Sequence, residues 1–309
     1  MDQRLAEKIQ KLKKQRNAVI LAHNYQPAEI QDIADFCGDS LGLSMEAAKT
    51  NADVIVFCGV EFMAETAAII SPQKTVLLPD KFAGCPMADM ITAEQLRELK
   101  HAYREAAVVC YVNSSAEVKA ESDYCCTSSN AVEVVDSLPD TQQVIFVPDQ
   151  HLGQYVAEKM KASRHAGFVL WPGYCPTHVA ITEDDIKEAK AKYPDAIVMA
   201  HPECTEAVKK LAGEILSTGQ MLKFVKKSPA KRFIVATEVG IIHALKKQNP
   251  NAEFIAASGR AVCPNMKKIT LDKVIASLED MQYKITVPEE IRIKAKRAID
   301  RMLEVLPSR

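Results

Sequence analysis

Short apolar runs alternate with longer amphipathic stretches along the whole chain. The runs at 18–22, 53–58 and 75–78 read as buried parallel strands. Helical patterns fall between them near 40–50 and 61–71. The next stretch repeats the scheme, with strands near 107–112, 143–147 and 167–170 and helices near 128–137 and 150–162. The last has strands near 196–200, 232–236 and 252–256 and helices near 205–212, 218–227 and 238–248. A charged amphipathic helix from Pro288 to about Leu306 closes the chain as a packing extension. Strand–helix alternation of this kind predicts an α/β fold with parallel sheets.

The pattern is an internal repeat. His23, Tyr111 and His201 follow the first strand of each stretch, 88 and 90 residues apart, and Tyr25, Asn113 and Glu203 keep that spacing. So do Ser40, Ser128 and Thr218, where helices are expected to open. Cys85-Pro86, Cys175-Pro176 and Cys263-Pro264 are each followed by four variable residues and Ile-Thr. The predicted architecture is three pseudo-symmetric α/β/α subdomains, at 1–106, 107–195 and 196–309, around a central site. In parallel sheets the loops leaving the carboxyl ends of strands carry ligands, and these residues lie on such loops.

The Ile-Thr half of the motif has a structural reading. Thr92, Thr182 and Thr270 are expected N-caps. Ile91, Ile181 and Ile269 would staple to Leu96, Ile186 and Val274. Plain N-capping is also an available reading of Ser40, Ser128 and Thr218. Neither device needs Cys-Pro. Three thiolates meeting at a pseudo-threefold axis form a metal site with one ligand missing. Zinc is one candidate. Isolated cysteines from three units fit a [4Fe–4S] cubane better, because structural zinc favours closely spaced pairs. With three ligands one iron stays open as a Lewis acid. His23 and His201 beside it supply acid–base groups, and Glu203 is the one carboxylate of its set, a natural proton shuttle.

The chain has 309 residues, is 48% apolar and carries a net charge of -1. No basic stripe points to nucleic acid. No apolar run approaches the length of a membrane span. The N-terminus lacks a signal-type apolar region, so the expected compartment is the cytoplasm. Nine cysteines there favour metal or redox chemistry over a disulfide framework. Of the six outside the repeat, Cys58 and Cys110 read as core residues and Cys37 and Cys204 as lying near helix starts. Cys125 and Cys126 read as a loop pair with no repeat partners.

At these residues the chain resembles the quinolinate synthase family. The resemblance runs through His23-Asn24-Tyr25-Gln26, Gly38-Asp39-Ser40, Cys58 to Glu65, Cys126 to Asn130, His201-Pro202-Glu203-Cys204 and Cys263 to Met266. It implies one [4Fe–4S] cluster on Cys85, Cys175 and Cys263. It implies condensation of iminoaspartate with dihydroxyacetone phosphate to quinolinate, phosphate and two waters. The active-site residues it implies are His23, Tyr25, Ser40, Tyr111, Asn113, Ser128, His201, Glu203 and Thr218. A transient contact with the enzyme that oxidises aspartate to the unstable imine is also expected. One departure stands out: some members have a C-x-x-C-x-x-C run at the third cysteine, and here only Cys263 is present. Two other classes compete: an iron–sulfur reductase of the isoprenoid type, which needs external electrons, and a non-catalytic iron–sulfur sensor.

Overall fold

The computed structural model describes residues 3–139, 142–160 and 167–305. One grammar is written three times. The first unit runs α1 (Gln3–Arg16), β1 (Ala18–His23), α2 (Ala28–Ile33), β2 (Phe36–Gly38), α3 (Ser40–Lys49), β3 (Val54–Cys58), α4 (Glu61–Ile70) and β4 (Thr75–Leu77). The second runs α5 (Ala93–Ala102), β5 (Ala107–Tyr111), α6 (Ala116–Ala120), β6 (Tyr124–Cys126), α7 (Ala131–Asp136), β7 (Val144–Val147), α8 (Gln150–Lys159) and β8 (Phe168–Leu170). After the short α9 (Pro176–Val179), the third runs α10 (Glu183–Lys192), β9 (Ile197–Ala200), α11 (Glu206–Leu211), β10 (Glu214–Ile215), α12 (Thr218–Lys227), β11 (Arg232–Ala236), α13 (Ile241–Gln248) and β12 (Glu253–Ala256). Then come α14 (Leu271–Asp280) and α15 (Glu289–Glu304).

The three sheets are all parallel and share one strand order, β2-β1-β3-β4, β6-β5-β7-β8 and β10-β9-β11-β12. The central strands are buried along nearly their whole length, as helices on both faces require. This is the expected α/β architecture with one correction. Each sheet has four strands, not three. The extra edge strands β2, β6 and β10 have only two or three residues, too few for a periodic signal. They also move cysteines: Cys37 lies in β2, and Cys125 and Cys126 lie in β6. Ala22 pairs with Cys37 and Cys110 with Cys125, so Cys125 does have a repeat partner. Residues 161–162 of the expected helix and Leu306 lie outside the described residues.

Each helix after a Cys-Pro loop leaves one sheet and packs on elements of the next. α5 lies against α6, α10 against α11 and β11, and α14 returns to α1 and β3. The staples show the same exchange. Ile269 and Val274 share a core with Ile9, Ile20 and Val56, and Ile181 and Ile186 share one with Val198 and Ile234. Thr92, Thr182 and Thr270 cap these helices through their side chains, the first two with full capping boxes. The units are therefore interlocked in a ring, and the carboxyl ends of their sheets point inward. The C-terminal segment ties the ring from outside. Ile285 N donates to Val76 O at 2.9 Å beside β4. α15 then crosses α6 and β6, where Asn130 Nδ2 donates to Met302 O and Val305 O at 3.0 and 2.8 Å.

Candidate functional site

All twelve residues singled out from the sequence line one central cavity of about 150 Å³. The first strand of each sheet delivers the upper set: His23 ends β1, Tyr111 ends β5 and His201 follows β9. Tyr25, Asn113 and Glu203 stand two residues further on. Ser40 and Thr218 are the first residues of α3 and α12, but they are not the caps. Asp39 and Ser217 cap those helices, and Ser128 lies in the turn before α7. The three hydroxyls are thereby left facing the cavity. Cys85, Cys175 and Cys263 come from the loops after β4, β8 and β12. No lysine or arginine lines the cavity among the described residues.

The repeat is kept at atomic detail. Tyr25 N donates to His23 Nδ1 at 3.2 Å, and Glu203 N donates to His201 Nδ1 at 3.3 Å. An Nδ1 that accepts a backbone proton leaves the ring proton on Nε2. His201 Nε2 then donates to Ser128 Oγ at 3.2 Å. Burial drives both histidines down to about 3, so each works at neutral pH as a neutral N–H donor.

Glu203 is 3% exposed and carries the densest set of partners. Its Oε2 lies 2.6 Å from His178 Nδ1 and 3.5 Å from His201 Nδ1. Asn113 Nδ2 donates to Oε1 at 3.4 Å, and the Tyr111 hydroxyl lies near enough to favour the charged carboxylate. Burial opposes ionisation of the carboxyl, yet His178, His201 and these contacts outweigh it and hold it below the usual carboxylate range. Burial, then the Glu203 charge, push the Tyr25 and Tyr111 hydroxyls up, so both keep their protons.

Two participants escaped the sequence reading. His178 is 1% exposed and bridges the site. Its Nε2 lies 2.8 Å from Thr237 Oγ1, which lies 2.5 Å from Tyr25 Oη. The result is a continuous chain Tyr25–Thr237–His178–Glu203. The signal for His178 lay inside the motif, three residues after Cys175, where the other copies have Ala88 and Met266. Thr237 gave none: the strand registers pair it with Gly59 and Pro148.

The donor set fits a cluster held by three thiolates. Backbone N–H groups of Met87 and Ala88 point at the Cys85 sulfur, those of Asn265 and Met266 at Cys263, and that of His178 at Cys175. N–H···S bonds of this kind accompany ligating sulfur in iron–sulfur proteins. Burial pushes the Cys85 thiol up to about 12 and raises the other two. Such thiols ionise against a bound positive centre. Ligand atoms of Cys175, His178 and Glu203 also lie within 4.8 Å of one another, but that trio uses only one of the three equivalent cysteines.

Residues 7–304 match the family described as quinolinate synthetase A protein. The chain is 56% identical over 302 residues to the quinolinate synthase of Dehalococcoides mccartyi strain CBDB1, covering 98% of each chain. It is 56% identical over 301 residues to the quinolinate synthase of Geobacter metallireducens, covering 97% of each. It is 54% identical over 301 residues to quinolinate synthase 1 of Methanosarcina acetivorans, again covering 97% of each.

Proposed function

The chain belongs to the quinolinate synthase family, enzymes of NAD biosynthesis, and we propose that it condenses iminoaspartate with dihydroxyacetone phosphate in the central cavity. The products are quinolinate, phosphate and two waters. The observation that carries this reading is the convergence of three equivalent cysteines and nine polar residues on one cavity. Cys85, Cys175 and Cys263 would hold a [4Fe–4S] cluster, which supplies a Lewis-acidic iron for loss of a substrate hydroxyl as water.

The protein side chains divide the remaining work. The substrates are anionic, and the cavity meets them with neutral donors: the hydroxyls of Ser40, Ser128, Thr218 and Tyr111, the Asn113 amide, and Nε2–H of His23 and His201. The N-termini of α3 and α12 add partial positive charge behind Ser40 and Thr218. Proton transfer falls to the Tyr25–Thr237–His178–Glu203 chain. When Tyr25 gives its proton to the substrate, Thr237 replaces it and is itself resupplied from Nε2 of a His178 imidazolium formed in the opposite transfer. When it takes one, Thr237 passes its own to His178 Nε2. The imidazolium so formed sits 2.6 Å from Glu203, whose carboxylate stabilises it as the acidic member of a hydrolase triad does. Water loss and ring closure both need protons moved in a site closed to solvent, and the four buried groups meet that need.

The test is anaerobic reconstitution, iron and sulfide analysis, and Mössbauer spectroscopy with and without quinolinate, alongside product formation from the two substrates. About four irons per chain, one of them shifted by quinolinate, with turnover needing no reductant, is the expected result. Zinc, or a cluster indifferent to quinolinate, overturns it. A strict requirement for a reductant would favour the reductase class instead.

A further inference from the structure

The three subdomains meet at one polar junction at the edge of the cavity, which its half-buried member Asp39 also lines. Asp39 belongs to the first unit, Ser129 to the second and Ser217 to the third. Ser129 Oγ donates to Asp39 Oδ2 at 2.6 Å, and Ser217 Oγ lies 2.7 Å from Ser129 Oγ. The direction of the chain is fixed. The Asp39 carboxylate only accepts, so the Ser129 proton goes to it and the Ser217 proton goes to Ser129. The outer members are also helix caps: Asp39 Oδ1 accepts from Gly42 N at 2.8 Å, and Ser217 Oγ accepts from Gln220 N at 3.2 Å. Ser129 and Ser217 are buried at 5% and 0% exposure.

Each junction residue is a chain neighbour of one cavity hydroxyl: Asp39 of Ser40, Ser129 of Ser128, Ser217 of Thr218. The repeat is broken to build it. Positions equivalent to Ser129 are Leu41 and Gly219. A side chain at Gly219 would place its Cβ 2.4 Å from Asp39 Oδ2, so only glycine admits the carboxylate there.

We propose that Asp39, Ser129 and Ser217 form an inter-subdomain latch that positions Ser40, Ser128 and Thr218 as one anion-binding set. The inference rests on the reading of those three hydroxyls as substrate anchors. Ser129 is on this view a positioning residue: its removal frees each subdomain to carry its own hydroxyl out of register.

The experiment compares Ser129→Ala and Gly219→Ala with the parent enzyme at equal iron content. Quinolinate affinity is read by equilibrium titration, and KM and kcat are read separately. Ser128→Ala and Thr218→Ala test the anchors. Arg16→Ala loosens the α1–α14 contact far from the cavity, where Arg16 Nε donates to Leu278 O at 3.0 Å. Loss of one aligned hydrogen bond predicts about tenfold weaker quinolinate binding and a raised KM for each latch variant, with kcat nearly kept. Arg16→Ala lowers stability and leaves affinity unchanged. Weakened binding in the anchor variants with parental affinity in both latch variants overturns the latch alone. Parental affinity in the anchor variants overturns the anchoring reading, and the latch with it. Equal weakening in Arg16→Ala reduces the latch to general stability. If Ser129→Ala does not fold, Gly219→Ala decides by the same readings.

Discussion

Replacing Thr237 by valine keeps the shape of the side chain and removes one hydroxyl from the middle of the proton chain. That hydroxyl stands 2.5 Å from Tyr25 Oη and 2.8 Å from His178 Nε2, at 1% exposure. Without it the two groups face each other at 3.4 Å, beyond good hydrogen-bond reach. Two consequences separate by magnitude. Two buried polar groups lose a partner, at about 1–3 kcal/mol each, and closing of the gap recovers part of that cost. A net loss of about 1–2 kcal/mol in unfolding free energy is expected. Turnover suffers more. Positioned proton transfer contributes about 10²–10⁴ in rate, or about 2.7–5.4 kcal/mol of barrier. Because Tyr25 can shift toward His178, the expected drop is near the lower end, about 100-fold in kcat. Thr237 does not line the cavity, so KM and quinolinate affinity should hold. Anaerobic initial rates of quinolinate formation, normalised to iron content, measure this directly. A kcat within about threefold of the parent, about a thirtieth of the 100-fold effect that relay chemistry predicts, with the stability loss present would make Thr237 a packing residue and refute the relay.

Glu203→Gln should retain a full iron count and lose turnover, because the neutral amide cannot stabilise an imidazolium at His178; near-parental activity would remove Glu203 from the mechanism. His23 is held neutral down to about pH 3 in the folded chain, while in the unfolded chain it protonates near pH 6.5. The unfolded state therefore binds the extra proton below that pH, and stability falls with falling pH by about 1.4 kcal/mol per unit from this residue. In urea unfolding the parent should therefore lose stability relative to His23→Gln by about that slope as the pH is lowered from 6.5 to 4.5, and a pH-independent difference would show that His23 is charged in the fold. Asn130→Ala removes both carbonyl caps on the end of α15 and the Oδ1 that accepts from Thr127 N and Oγ1 at 2.9 and 3.0 Å, and should cost about 2–4 kcal/mol in urea unfolding; an unchanged midpoint would mean that α15 and the turn before α7 are held by apolar contacts alone.

What could be read from the sequence was what repeats. The apolar runs located nine strands because a buried parallel strand is a continuous apolar run, down to the three residues of β4 and β8. β2, β6 and β10 stayed hidden because their pairing is decided by the first strand of each sheet and not by their own pattern. Cys125 was misjudged for the same reason. The candidate site was legible wherever residues recur at equivalent positions, as with the three cysteines and the residues two beyond each first strand, all of which line the cavity. His178, Thr237 and Ser129 of the latch were not, because each occupies a position whose counterparts are apolar, glycine or proline. Ser40 and Thr218 could be mistaken for caps, since a capping residue and its neighbour differ by one place and carry the same chemistry.

That division has a chemical cause. A cluster held by three thiolates needs three equal donors, and a threefold scaffold supplies them without special adjustment. The proposed reaction needs unequal groups: one carboxylate among Tyr25, Asn113 and Glu203, and one imidazole among Ala88, His178 and Met266. The scaffold accommodates both by keeping the backbone symmetric and varying the side chains. Val60, Asp149 and Glu238 continue the series at the end of each third strand. Glu238 accepts from Cys263 N at 3.1 Å and pairs with Lys267 at 2.8 Å, and Asp149 caps α8. One position thus supports a cysteine loop in the third unit, a helix in the second and plain apolar packing in the first. Symmetry at the main chain fixes where each group stands, and its breaking at the side chains decides what each group does.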